Sequence, residues 1–166
     1  MASKHSSNSS QSHGQSERAR CQLELGSDVY LVAKPWHQKL LIHIRRFENY
    51  KGKTFPTKGG ITINLKHWVE LCGCKSQIDE TISASKQGKD ETFFRHLGAN
   101  VHTSMDQNFA GVDLRQWWWC DETKFVKLSK KGISLSTSVG ETERQFGNYE
   151  RLCSGTELCY TFCHAG

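Results

Sequence analysis

Seven cations, Lys34, Lys39, Arg45, Arg46, Lys51, Lys53 and Lys58, stand between positions 34 and 58 against one acid, Glu48. That is a net +6 in a chain of 166 residues whose total is only +5, so positive charge is gathered here rather than spread. The chemistry open to such a cluster is neutralisation of phosphates, with an affinity that falls as salt rises. Aromatic side chains accompany it: Trp36 inside the cluster, and Trp117, Trp118 and Trp119 further along. Indole faces stack on unpaired bases at about 1–3 kcal/mol per base. A basic cluster alone is usually a solvated face. Its density, and the motif order described below, favour nucleic-acid binding instead.

Other chemically able residues form weaker patterns. Cys153, Cys159, Cys163 and His164, with Cys72 and Cys74, raise the question of zinc, but none of these spacings is the paired C-x2-C of common structural sites. No metal and no cofactor are therefore expected. His43, His67 and Cys72 show no nucleophile–base pattern, so the chain reads as a non-enzyme. The opening residues lack the apolar core of a secretory signal, and no apolar run reaches the roughly 20 residues of a membrane span. The seven cysteines are accordingly expected as reduced thiols, and no membrane partner is expected.

These side chains need elements to position them. Residues 1–20 hold seven serines, with polar amides and scattered charge, and read as a disordered, phosphorylatable tail. Strands are expected over 29–34, 39–47, 53–55 and 61–63. In the second of these, Leu40, Ile42 and Ile44 make one apolar face, while Lys39, Leu41, His43, Arg45 and Phe47 make a basic and aromatic one. Turns are expected at Trp36-His37-Gln38, at 49–52 and at Pro56-Thr57-Lys58-Gly59-Gly60. Asn64 is a good N-cap for a helix over 65–87, on which Trp68 joins the apolar stripe and Gly73 should bend the axis. Phe47 and Phe55 are assigned to packing. Three consecutive tryptophans cannot share one side of a strand, so one of Trp117–Trp119 is expected in the core.

The pattern then repeats. Leu25-Gly26 with Val29 recurs as Leu97-Gly98 with Val101, and Ile42-His43-Ile44-Arg45 as Val112-Asp113-Leu114-Arg115. Lys58-Gly59-Gly60-Ile61-Thr62-Ile63 recurs as Lys130-Lys131-Gly132-Ile133-Ser134-Leu135. Offsets of 72, 70 and 72 residues, in order, argue for duplication. The expected division is a tail at 1–20, a first ββββα repeat at 21–84, a linker at 85–91 and a second, diverged repeat at 92–166. The second repeat should end in a helix near 142–152, with a short strand near 158–162. Net charge over 1–20, 21–88 and 89–166 is +2, +4 and −1, so the basic character belongs to the first half.

On these residues the first repeat resembles the positive-cofactor-four family of transcriptional coactivators, which bind single-stranded DNA. The resemblance rests on Lys39-Leu40-Leu41-Ile42-His43-Ile44-Arg45, then Lys58-Gly59-Gly60-Ile61-Thr62-Ile63, then Leu65-x-x-Trp68, and covers about 25–82. It implies an α+β fold in which a curved four-stranded antiparallel sheet is followed by a helix. Duplicated here, that unit would form an intramolecular pseudo-dimer. The family's basic sheet residues fall on Lys34, Lys39, Arg45 and Lys58, and its hairpin aromatic on Trp36. In the second copy the matching positions are Arg115, Trp118, Lys130 and Lys131. The stacking tryptophan has no match in the first copy, where Glu48, Asn49 and Tyr50 stand. The second copy lacks the Leu-x-x-Trp helix start.

The expected function is sequence-tolerant binding of single-stranded or melted DNA, as a nuclear transcription coactivator or repair accessory. Transcription-machinery proteins are possible partners, and the chain would act as a monomeric pseudo-dimer or a homodimer. The alternative is a protein-interaction adaptor that keeps the fold with weak or lost DNA binding, motivated by the acidic second half.

Overall fold

The computed structural model describes residues 19, 21–106 and 109–136, with the backbone alone at 109 and 110. Eight antiparallel strands dominate them. β1 (Cys21–Gly26), β2 (Val29–Trp36), β3 (Lys39–Tyr50) and β4 (Lys53–Asn64) form one four-stranded sheet in sequential order. α1 (Leu65–Gly73) and α2 (Lys75–Lys86) follow, and then β5 (Phe93–Gly98), β6 (Val101–Asp106), β7 (Phe109–Cys120) and β8 (Phe125–Ser136) form a second sheet in the same order. The edge strands β4 and β8 run close together.

This corrects the expected fold class. The described chain is mostly sheet with two helices, both following β4, and is not a duplicated ββββα unit arranged as a pseudo-dimer. The expected helix near 142–152, the strand near 158–162, Cys153, Cys159, Cys163, His164 and the serine-rich residues 1–18 lie outside the described residues.

Turn chemistry sets the meanders. Each hairpin of the first sheet closes through two residues at positive φ: Ser27 and Asp28 (49° and 58°), His37 and Gln38 (45° and 63°), Lys51 and Gly52 (51° and 74°). Such turns match the right-handed twist of the flanking strands. The expected strands at 53–55 and 61–63 are one strand, β4. The Pro56–Gly60 segment is not a turn but a bulge inside it, because the register jumps from Arg45 opposite Gly60 to Phe47 opposite Pro56. β1, unforeseen in the sequence, supplies the fourth strand.

Period-2 alternation sends one face of each sheet inward. Val29, Leu31 and Ala33 of β2, Ile42 and Ile44 of β3, and Ile61 and Ile63 of β4 are buried, as are Leu97, Val101, Val112, Leu114 and Ile133 of the second sheet. α1 begins at the Asn64 N-cap, whose Oδ1 accepts the His67 backbone N–H at 2.9 Å. The helix predicted over 65–87 is two helices. The first ends at Gly73, and α2 starts anew from Cys74. α1 packs on β3, β4 and β5, and α2 on β5 and β7. Trp68, Leu71, Ile78 and Ile82 thereby join the inner faces of both sheets in one hydrophobic cluster. Trp68 is 3% exposed, as its place on the apolar stripe predicts.

The cysteines are not uniformly reduced. Cys72 is disulfide-bonded, whereas Cys74 and Cys120 are thiols. One core position is also imperfect. Thr103 of β6 stands where Leu31 stands in β2, fully buried, with a hydroxyl that finds no hydrogen-bond partner. A buried unmade hydrogen bond costs about 1–3 kcal/mol. Thr103→Val keeps the shape and removes the stranded hydroxyl, so urea unfolding should show a gain of about 1 kcal/mol. A loss of stability would mean the hydroxyl is satisfied.

Candidate nucleic-acid interface

With the inner faces buried, the polar chemistry collects on the outer faces. On β2 these positions are Tyr30, Val32, Lys34 and Trp36, and on β3 they are Lys39, Leu41, His43 and Arg45. They meet β4 at the bulge, where three residues, Thr57, Lys58 and Gly59, stand opposite Arg46 alone. The bulge is tied down from β3. Arg45 Nη1 donates to the Thr57 carbonyl at 2.8 Å, the Thr57 hydroxyl donates to the Arg46 carbonyl at 3.0 Å, and the Gly59 N–H donates to that hydroxyl at 3.1 Å. Gly60 closes it at φ +150°, where an added Cβ would sit 2.4 Å from the Ile44 carbonyl oxygen. Only glycine lets β4 rejoin β3 there.

The bulge curls the sheet around a groove of about 500 Å³. Lys34, Arg45 and Lys58 line it, with His43 on its floor and Phe47 and Pro56 as apolar wall. Phe47, assigned to packing by the sequence, is only half-buried, edge-on to Tyr30 at 4.9 Å. Trp36 and Lys39 face each other across the hairpin tip, both exposed. Three of the sequence-derived candidates thus converge on one groove, and two more stand on the same face.

His43 is held neutral. Burial lowers its pKa below 6.5, and the positive charges of Arg45 and Lys34 lower it further. Its Nδ1 pairs with the Thr62 hydroxyl at 2.9 Å.

The second sheet builds the same groove with different residues. Arg115 pairs with Gly132 and Trp117 with Leu128, leaving Ser129, Lys130 and Lys131 bulged. Arg115 Nη1 donates to the Ser129 carbonyl at 3.0 Å, as Arg45 does to Thr57. The enclosed volume is about 640 Å³. By sequence offset, Asp106 stands for Lys34, Asp113 for His43, Trp117 for Phe47 and Leu128 for Pro56, although a register shift after Ser104, which the first sheet lacks, pairs Asp106 with Phe109. Asp113 holds Arg115 side-on along one edge of the guanidinium. Its carboxylate accepts Nε at 2.9 Å and Nη2 at 2.8 Å, and accepts the Ser134 hydroxyl at 2.6 Å as well. The carboxylate also raises the pKa of Arg115, so the guanidinium stays charged but is spent internally.

The remaining candidates are dispersed. Lys130 and Lys131 are exposed on the bulge but do not line the groove. Trp118 points to the other side of the β7–β8 arm, opposite Lys127, whose Nζ lies 5.9 Å from the ring. None of the three consecutive tryptophans is buried. Trp117 is half-buried against His102 and Phe94, and Trp118 and Trp119 are exposed. Asp106 and Asp113 went unnoticed in the sequence, although the repeat offset placed them opposite Lys34 and His43. Among the described residues, no group of three or more His, Cys, Asp or Glu is placed to hold a metal ion.

No family model, curated protein or solved structure matches this chain.

The neutral state of His43 has a measurable consequence. A histidine whose folded pKa lies below its unfolded value is protonated first in the unfolded chain. Its contribution to stability is therefore present above pH 6.5 and is lost as pH falls from there toward the lowered folded value. His67 and His102, also lowered chiefly by burial, act in the same direction. Urea unfolding at pH 8 and pH 5.5 should show the parent losing stability at the lower pH and His43→Gln losing less. An equal loss in both would place His43 in solvent.

Proposed function

We propose that the chain binds single-stranded or melted nucleic acid, DNA by its resemblance to the positive-cofactor-four coactivators, through the outer face of the first sheet. It acts without catalysis. One observation carries the reading: Lys34, Arg45 and Lys58, distant in sequence, converge on one groove that has an aromatic wall at Phe47. Phosphates take the cations, and bases take Phe47 and the exposed Trp36 at the hairpin tip. Contacts to backbone charge and ring faces carry no base code, so the binding is sequence-tolerant. A role in nuclear transcription or repair follows from the family resemblance and belongs to the same proposal.

Fluorescence anisotropy with a labelled oligothymidine and with a duplex of equal length, at two salt concentrations, tests it. Four cations on the face, Lys34, Lys39, Arg45 and Lys58, each releasing about 0.7 counterion from a single strand, give a log–log salt slope of about −3. Lys58→Ala should flatten that slope by about 0.7. Arg45 is the poorer test because it also holds the bulge. A phosphate beside His43 favours its protonated form, so affinity should rise as pH falls below 6.5 toward the lowered value of the free protein. His43→Gln should remove that rise. No binding at low salt, or equal affinity for the duplex, would refute the proposal.

A further inference from the structure

Cys72, on the last turn of α1, carries a disulfide bond, and the structure pairs it with none of Cys21, Cys74 and Cys120. Three cysteines are left, Cys153, Cys159 and Cys163, and all of them belong to the residues that follow β8. Cys74, only two residues from Cys72, is chemically quite different. It is 3% exposed, its Sγ donates to the Glu70 carbonyl at 3.2 Å, and burial pushes its thiol pKa up. A neutral, buried thiol is a poor partner for thiol–disulfide exchange. Cys72 packs against the rim of the core and is only half-buried, so it is the one of the pair that a second sulfur can reach.

The surface around that sulfur is apolar. Leu65, Val69 and Cys72 fall at helical positions i, i+4 and i+7, and so share one edge of α1. Trp68 and Leu71 take the face toward the sheets, while this edge is left outside, with Val69 57% and Leu65 37% exposed. Segment 137–166 holds matching side chains. Phe146, Tyr149 and Leu152 precede Cys153 at intervals of three, the spacing of one helical face. Covering two partly exposed aliphatic side chains favours docking by about tenfold. A covalent tie raises the local concentration of the segment to roughly millimolar, so a patch this small is enough to hold it.

We propose that the outer edge of α1, formed by Leu65, Val69 and Cys72, is the docking surface for the chain's own C-terminal segment 137–166. A disulfide from Cys72 to one of that segment's three cysteines staples it there. The staple closes when the two thiols give up two protons and two electrons to a small disulfide of the glutathione class, which leaves as two thiols. The same exchange run backwards opens it. In a compartment that keeps thiols reduced, such a bond forms and breaks with redox poise rather than persisting. The inference goes beyond nucleic-acid binding by the first groove and does not rest on it.

The test uses the full chain, its thiols alkylated before unfolding, digested with trypsin without reductant. Mass spectrometry should find peptide 67–75 joined to peptide 152–166 from the same chain. The link should be absent after reduction and absent in Cys72→Ser. In a glutathione buffer, the fraction closed gives the effective concentration of the two thiols, expected at about millimolar or above. Val69→Asp should lower that concentration by about tenfold. Phe55→Asp, an apolar-to-acid change at an exposed site on β4 far from α1, should leave it unchanged. The melting temperature reports an intact core in both variants. No link, a link that survives in Cys72→Ser, or a link from Cys72 to Cys21 or to another copy of the chain would overturn the proposal. Equal effective concentrations in the parent and Val69→Asp would overturn it too.

Discussion

The structure depends on the burial of both inner sheet faces against one pair of helices. Trp68 and Leu71 of α1, with Ile78 and Ile82 of α2, reach Ile42, Ile44 and Ile61 on one side and Leu97, Val101 and Leu114 on the other. Hydrophobic burial at about 25 cal/mol per Å² is the main driving force available to a chain of this size. Sharing it between the sheets makes them one cooperative body. The break at Gly73–Cys74 serves that arrangement, because it lets α1 lie on the first sheet while α2 continues across β5 and β7. Once the inner faces are committed, whatever the outer faces carry is free to serve recognition.

What the outer faces share is a bulge clamped by an arginine. Arg45 on Thr57 and Arg115 on Ser129 hold three residues out of register, and the glycine at each rejoining point leaves room for the arginine side chain and backbone. The clamp fixes the groove's shape without fixing its charge. Lys34 and His43 leave Arg45 beside a second cation and a neutral ring, whereas Asp113 pairs with Arg115 directly. A shape held by an arginine clamp thus leaves the charge of the groove to its other side chains.

The inner faces were legible because period-2 alternation at Ile42, Ile44, Ile61 and Ile63 is a strong signal, and so was the Asn64 cap. The break at Gly73 was visible only as a bend. β1 was missed because Leu23 and Leu25 alternate over too short a stretch to stand out. The segment around Pro56 to Gly60 misled because its residues are those of a turn, and only the partner strand shows that they form a bulge. The one helix expected over 65–87 is two, because Gly73 and Cys74 end the first and start the second, and the helix expected near 142–152 lies outside the described residues. At the site, charge clustering found Lys34 and Arg45, which share a face by alternation, and Lys58, which the bulge brings to them. Arg115 came in as the repeat match of Arg45, and Asp113, two residues away, was passed over because a repeat match does not register where an arginine's hydrogen bonds go.

The central claim is that the first groove, whose arginine stands beside a second cation, accepts a polyanion, and that the second, whose arginine is held by Asp113, does not. Amide hydrogen exchange of the full chain, with and without a saturating oligothymidine, tests it most directly. The account predicts slowed exchange in the β4 bulge at Thr57, Lys58 and Gly59 and at the His37–Gln38 tip, with the β8 bulge at Ser129, Lys130 and Lys131 unchanged. Equal protection of both bulges, or protection of the second alone, would contradict it.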